Sequence, residues 1–296
     1  MRRVISAILF ILLLAGCAAK DAPAQVAATT LPVYEFTSAL CEGTPVSVTR
    51  LVTEKVTCLH DYSLNVRQVK AAEAADVIVI SGAGLEEFLE DMLSDMEIID
   101  ASVGIDLICP DEDGSHDHAD GHAHHHEDHH HEEDPHIWLS PAHAKVMAQN
   151  ICNGLSSQYP EHAVRFAANL EVLLAKLDFL QTYGEEQLAE LSCREIITFH
   201  DGFAYFAEAF DLTILEAVEE ESGSEASAKE LIHLIEEVEH HQLPAIFTEL
   251  NGSVSAADII SRETGAACYP LDMAMSGESW FDAMYHNINI IKEALE

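Results

Sequence analysis

The sequence predicts an α/β fold of two lobes, each with a parallel-rich sheet flanked by helices, joined by one long rigid helix. Three observations predict it. Asp76-Val77-Ile78-Val79-Ile80-Ser81 is a nearly unbroken β-branched run, the composition of a strand covered on both faces. Strand-like and helix-like stretches alternate around it, and again in the second half of the chain, as parallel sheets with crossover helices require. Between the halves, Pro160 opens an apolar-periodic stretch running to about Leu191 through Val164, Leu170, Leu173, Leu174, Leu177, Leu180 and Leu188. One helix of that length, about 45 Å long, outruns a small domain and reads as a spine. Two shorter helices broken near Gly184 fit the same pattern.

In order, the first lobe spans 25–158. It is expected to hold a strand over 25–30, a helix over 31–40, a strand over 45–52, a helix over 63–74, the β-branched strand over 76–81, an amphipathic helix over 85–96 and a strand over 97–100. A long loop, 111–134, and a helix over 141–159 complete it. The connecting helix is assigned to 159–192. The second lobe, 193–296, repeats the alternation. Strands fall near 195–199, 212–217, 245–248 and 268–271, and helices near 203–210, 227–241, 255–264 and 280–295. Gly265 is well placed to end the third of these helices.

The 296 residues carry 52 Asp and Glu against 14 Lys and Arg, a formal charge of −38. Such a surface repels nucleic acid and anionic membrane, and it concentrates cations. Solubility outside the cell is an equal reason for it. No phosphate-binding glycine loop is present.

Residues 1–16 read as an export signal, with Arg2-Arg3 ahead of an apolar run too short to span a bilayer. Leu14-Ala15-Gly16-Cys17 resembles the lipobox of bacterial lipoproteins. The resemblance implies cleavage before Cys17, a lipid on its sulfur, and a flexible tether over 17–24. The protein is then expected outside the cytoplasmic membrane and anchored to it. Cys41, Cys58, Cys109, Cys152, Cys193 and Cys268 form no C-x-x-C pair, and their pairing stays open.

Ten of the 18 histidines lie between Asp111 and Ser140. His116, His118, His122, His124, His125, His126, His129, His130 and His131 alternate with acids and have almost nothing apolar to bury. They are expected to bind several ions weakly. His136 differs, because Pro135 precedes it and Ile137-Trp138-Leu139 follows it.

Four residues stand on loops or strand ends where function concentrates: His60, His136, His200 and Asp272. Each half supplies two. A cleft between lobes could gather them, and three imidazoles with one carboxylate suit tetrahedral zinc. Manganese prefers more oxygen. Asp61 and Asp201 follow ligand histidines and read equally as their hydrogen-bond partners or as helix caps. The remaining histidines, His143, His162, His233, His240, His241 and His286, read as ordinary helix-surface residues, and the acidic run Glu219-Glu220-Glu221 with Glu225 as a solvated loop.

His60-Asp61-Tyr62, Asp134-Pro135-His136-Ile137-Trp138, Phe199-His200-Asp201-Gly202 and Leu271-Asp272 together resemble the metal-binding solute receptors of bacterial ABC uptake systems. The zinc-specific, ZnuA/TroA-like branch is the nearest in pattern, and the match runs from the lipobox to the last helix. It implies two lobes on one long helix, Zn(II) in the interlobe cleft, the ligands His60, His136, His200 and Asp272, and delivery to a membrane-embedded ABC permease. It implies a monomer, no nucleic acid and no catalysis. In manganese-specific relatives a carboxylate usually stands at the position of His200, which favours zinc here. Leu271-Asp272-Met273-Ala274-Met275 departs from the family's L-D-P-L-G pattern, so Asp272, Glu216 or water remains open as the fourth ligand. Rival readings are a manganese receptor, a surface adhesin or zinc buffer built on the histidine tract, and a zinc hydrolase. No H-E-x-x-H helix supports the last.

Overall fold

The computed structural model describes residues 25–56, 59, 62–89, 92, 96–109, 133–218, 227–250, 252 and 254–296. The export signal with Cys17, His60 and Asp61, Cys58, the histidines from His116 to His131, and Glu219 to Glu225 lie outside them.

Two four-stranded sheets form, and every pairing within them is parallel. The first joins β1 (Gln25–Ala28), β2 (Ser47–Arg50), β3 (Val77–Ile80) and β4 (Ile98–Asp100) in the order β2-β1-β3-β4. The second joins β5 (Glu195–Thr198), β6 (Thr213–Ala217), β7 (Ala245–Glu249) and β8 (Ala267–Leu271) in the order β6-β5-β7-β8. The halves therefore share one topology. Inner strands are buried on both faces, as their β-branched composition demands: Val77, Ile78 and Val79 are 2%, 0% and 0% exposed. Pro270 sits in β8, at the sheet edge, where a strand tolerates a residue without an N–H. In each sheet the order reverses between the first and third strands. That reversal opens a crevice beyond their carboxyl ends.

The helices are α1 (Leu31–Cys41), α2 (Val66–Glu73), α3 (Pro141–Gln158), α4 (Ala163–Gln187), α5 (Ala204–Ala209), α6 (Ala228–His241), α7 (Ser255–Thr264) and α8 (Trp280–Leu295). α2 begins later than residue 63 because Asn65 caps it: its side chain accepts from Arg67 and Gln68 N–H, and Gln68 answers to the Asn65 N–H. Within the expected helix over 85–96 the described residues show a 3₁₀ turn, Glu87–Leu89, with 90–91 and 93–95 outside the description.

The spine is α4. Its 25 residues follow a 3₁₀ turn over Pro160–His162 and span about 37 Å. Gly184 does not break it. A Cβ there would lie 2.2 Å from Phe210 Cε1, so glycine serves close packing of the second lobe on the helix.

One apolar core crosses from lobe to lobe, with Trp138, Phe166, Leu177, Phe203, Phe206, Leu271 and Trp280 in a single cluster. Polar contacts pin the 273–280 segment to the first lobe. Trp138 Nε1 donates to Met273 O at 2.8 Å, Leu31 N to Met275 O at 3.3 Å and Arg50 Nη1 to Gly277 O at 2.8 Å. Glu35 accepts from Trp280 N, at the N-terminus of α8. The described cysteines, Cys41, Cys109, Cys152, Cys193 and Cys268, are free thiols.

Candidate metal centre

His200 leaves the carboxyl end of β5, where its carbonyl accepts from Thr198 Oγ1 at 3.1 Å. Its strand flanks the reversal in the second sheet. The register Thr198↔Phe247 across β5 and β7 sets Glu249 level with it on the neighbouring strand. Glu249 Oε1 lies 2.9 Å from His200 Nδ1. The approach is close but poorly aligned for a hydrogen bond, so the contact is mainly electrostatic.

His136 arrives from the other lobe. Asp134 Oδ1 accepts from the His136 backbone N–H at 2.9 Å, closing a tight turn over Pro135, and lies 2.7 Å from His136 Nδ1. Trp138 packs against the imidazole, with ring centroids 5.2 Å apart.

The two imidazoles meet in the interior, His136 3% and His200 4% exposed. Their Nε2 atoms are 3.3 Å apart and the rings are perpendicular, at 89°. Each Nδ1 faces a carboxylate, which favours the proton on Nδ1 and leaves Nε2 as a lone-pair donor. In that tautomer the two lone pairs oppose each other, an arrangement that a bound metal ion bridges, whereas in the zinc-free pair an Nε2–H of one ring can donate to the other. Two nitrogens held at 2.0–2.1 Å by a tetrahedral ion would be about 3.3–3.4 Å apart. The observed spacing matches.

Gly202 makes this approach possible. A Cβ there would lie 2.7 Å from His200 Cδ2, 2.8 Å from Met273 Cε and 3.0 Å from His136 Cε1.

Of the predicted set, the structure brings His136 and His200 together. His60 lies outside the described residues, as do the tract histidines. Asp272 is half-buried at the end of β8. Asn287 holds its backbone through two hydrogen bonds of 2.8 and 2.7 Å, and its Oδ1 accepts from Ala274 N at 2.8 Å. Among the described residues no three His, Cys, Asp or Glu side chains form a complete ligand group. Glu216 pairs instead with His233 at 3.2 Å on the surface.

One partner assignment changes, and Asp61 lies outside the described residues. Asp201 is exposed and does not cap α5, whose N-cap is Phe203 without a side-chain bond. Asp134 and Glu249 take the role of holding the imidazoles. Glu249 was legible in principle, because an acid ending the strand beside that of His200 falls at the reversal point. His143 also departs from a surface role. It is half-buried against Tyr205, and burial lowers its pKa.

The family model for ZnuA, the periplasmic component A of a zinc-uptake complex, matches residues 26–294. The chain belongs to the ZnuA family. It is thus a metal-binding substrate-binding protein of an ABC system. It is 28% identical over 293 residues to the zinc-binding lipoprotein AdcA of Streptococcus pneumoniae, covering 93% of this chain and 56% of AdcA. The chain therefore spans little more than half of that relative. The Zn(II)-bound ZnuA-like domain of AdcA superposes with a TM-score of 0.74 at 25% identity, over 93% of this chain and 99% of that domain. A crystal structure of ZnuA gives 0.77 at 27%, over 92% and 100%. A manganese-bound periplasmic metal-binding protein from Candidatus Liberibacter asiaticus gives 0.78 at 22%, over 92% and 100%, a likeness of fold.

Proposed function

We propose that this chain is a high-affinity Zn(II) receptor that works outside the cytoplasmic membrane and hands its ion to an ABC permease. The observation that carries the reading is the opposed pair His136 Nε2 and His200 Nε2, 3.3 Å apart, one from each lobe, each imidazole backed by a carboxylate. In this reading His60 and Asp272 complete the ligand set and zinc is cargo. Four ligands of nitrogen and oxygen character favour zinc over manganese. The kinship with zinc-binding AdcA supports the same choice.

The tract histidines from His116 to His131 act as an auxiliary, weakly binding store. Cys17 carries the lipid that keeps the receptor at the membrane, and the receptor is a monomer without enzymatic activity.

Calorimetry with zinc, manganese and copper, on the intact protein and on His200→Ala, tests the reading. One tight zinc equivalent is expected, lost in the variant, with weak further equivalents from the tract. Tight zinc binding that survives His200→Ala, or that disappears when only residues 111–132 are deleted, defeats it.

A further inference from the structure

We propose that Tyr205 is an interlobe positioning residue of the metal centre: its hydroxyl, carried by the second lobe, holds the Asp134 main chain and, through Asp134, the imidazole of His136 in register with His200. The proposal rests on reading the opposed histidines as metal ligands.

Tyr205 lies in α5, in the turn of chain that follows His200, and is 0% exposed. Its hydroxyl donates to Asp134 O at 2.8 Å and accepts from Ile108 N at 2.9 Å. Asp134 N in turn donates to Ile108 O at 2.9 Å. The chain entering the histidine-rich tract and the chain leaving it are therefore bonded to each other and to one phenol of the opposite lobe. His143 of α3 stacks edge-on against the Tyr205 ring, centroids 5.1 Å apart, and fixes its place.

Asp134 is the pivot. Its carbonyl takes the Tyr205 hydroxyl while its carboxylate takes both the backbone N–H and Nδ1 of His136. A short segment of the second lobe thus grips the Asp134-Pro135-His136 turn twice, at the imidazole through His200 and at the main chain through Tyr205. Burial pushes the phenol up to about 12, so it remains a neutral donor at ordinary pH. The hydroxyl's one proton and one of its lone pairs are used within this arrangement.

Tyr205→Phe removes one oxygen and keeps the ring. Two main-chain groups lose their partner, Asp134 O and Ile108 N. The expected result is zinc binding weaker by roughly five- to thirty-fold, expressed mainly as faster release. Stopped-flow release into a chelator and competition titration read both quantities. Because the residue acts through His136, the substitution should change zinc affinity no further in a His136→Ala background. Its effect should persist in protein lacking residues 111–132, since the grip is on Asp134 and not on the tract. In the zinc-free protein the imidazole ¹⁵N shifts of His136 should move towards a mixed tautomer.

The proposal is overturned if Tyr205→Phe leaves affinity, release rate and the His136 spectrum unchanged. It is also overturned if the effect is equal with and without His136, which marks general destabilisation, or vanishes with the tract. Tight zinc binding that survives His136→Ala is a separate failure, of the metal assignment itself.

Discussion

Gly202→Ala places one methyl group in the contact between the two imidazoles. The backbone can accept it, since Gly202 does not adopt the left-handed region. The neighbours cannot, with His200 Cδ2 at 2.7 Å and His136 Cε1 at 3.0 Å from the new Cβ. Ordinary carbon contacts lie at about 3.5–4.0 Å, so the His200 ring must retreat by roughly 1 Å. Metal–ligand distances tolerate about 0.2 Å. A displacement of that size costs on the order of 100-fold where geometry decides the outcome. Overpacking should lower the stability of the zinc-free protein by about 1–3 kcal/mol. Competition titration against a chromophoric chelator measures the first effect, and thermal unfolding without metal measures the second. Zinc affinity at the unsubstituted level, alongside the expected loss of stability, would refute the assignment of these rings as ligands. Neither effect appearing would refute the packing around Gly202.

Three other substitutions probe separate parts. Glu249→Gln should weaken zinc binding by about 10–100-fold, with no further loss in a His200→Ala background, both read by competition titration. Gly184→Ala should destabilise the protein by about 1–3 kcal/mol in urea, despite alanine's better helix propensity, because the methyl would meet Phe210; zinc affinity should not change. Glu86 is buried with Thr29 Oγ1, Ser81 N and Gly82 N as its partners, and burial raises its carboxyl from 4.5 to about 7. A raised carboxyl stabilises the fold fully below the unfolded value and progressively less as pH rises through about 7. The stability advantage of the natural protein over Glu86→Gln should therefore shrink by up to about 3 kcal/mol between pH 4.5 and pH 8, and denaturant titrations across that window test it.

Much of this was written in the residue pattern. Asp76 to Ser81 declared a doubly covered strand, and Pro160 with its leucine periodicity declared the spine. Pro135 ahead of His136 and the strand ending in His200 identified two partners before any packing was known. What the pattern withheld was contact across the sheets. Glu249 touches His200 through strand register, which only the sheet topology reveals, and Tyr205 reaches Asp134 through the docking of lobes, which leaves no local signature. Asp201, adjacent in sequence to His200, turned out exposed, while Gly202 after it lies against both rings. Gly184 left two shorter helices open as the alternative to one spine, and its contact with Phe210 shows why glycine stands there in a continuous helix. The start of α2 moved for a local reason instead: Asn65, with Gln68 completing a capping box, overrode the periodicity that began at Ser63.

X-ray absorption at the zinc edge tests the site most directly. The sample is protein lacking residues 111–132, loaded with one equivalent of zinc, which removes the tract's competing imidazoles. The expected spectrum has four nitrogen or oxygen ligands at about 2.0–2.1 Å, with outer-shell scattering from three imidazoles, reduced by one ring in His136→Ala and in His200→Ala. A sulfur shell at about 2.3 Å, or a spectrum that neither substitution alters, would place the ion elsewhere and contradict the pairing of His136 with His200.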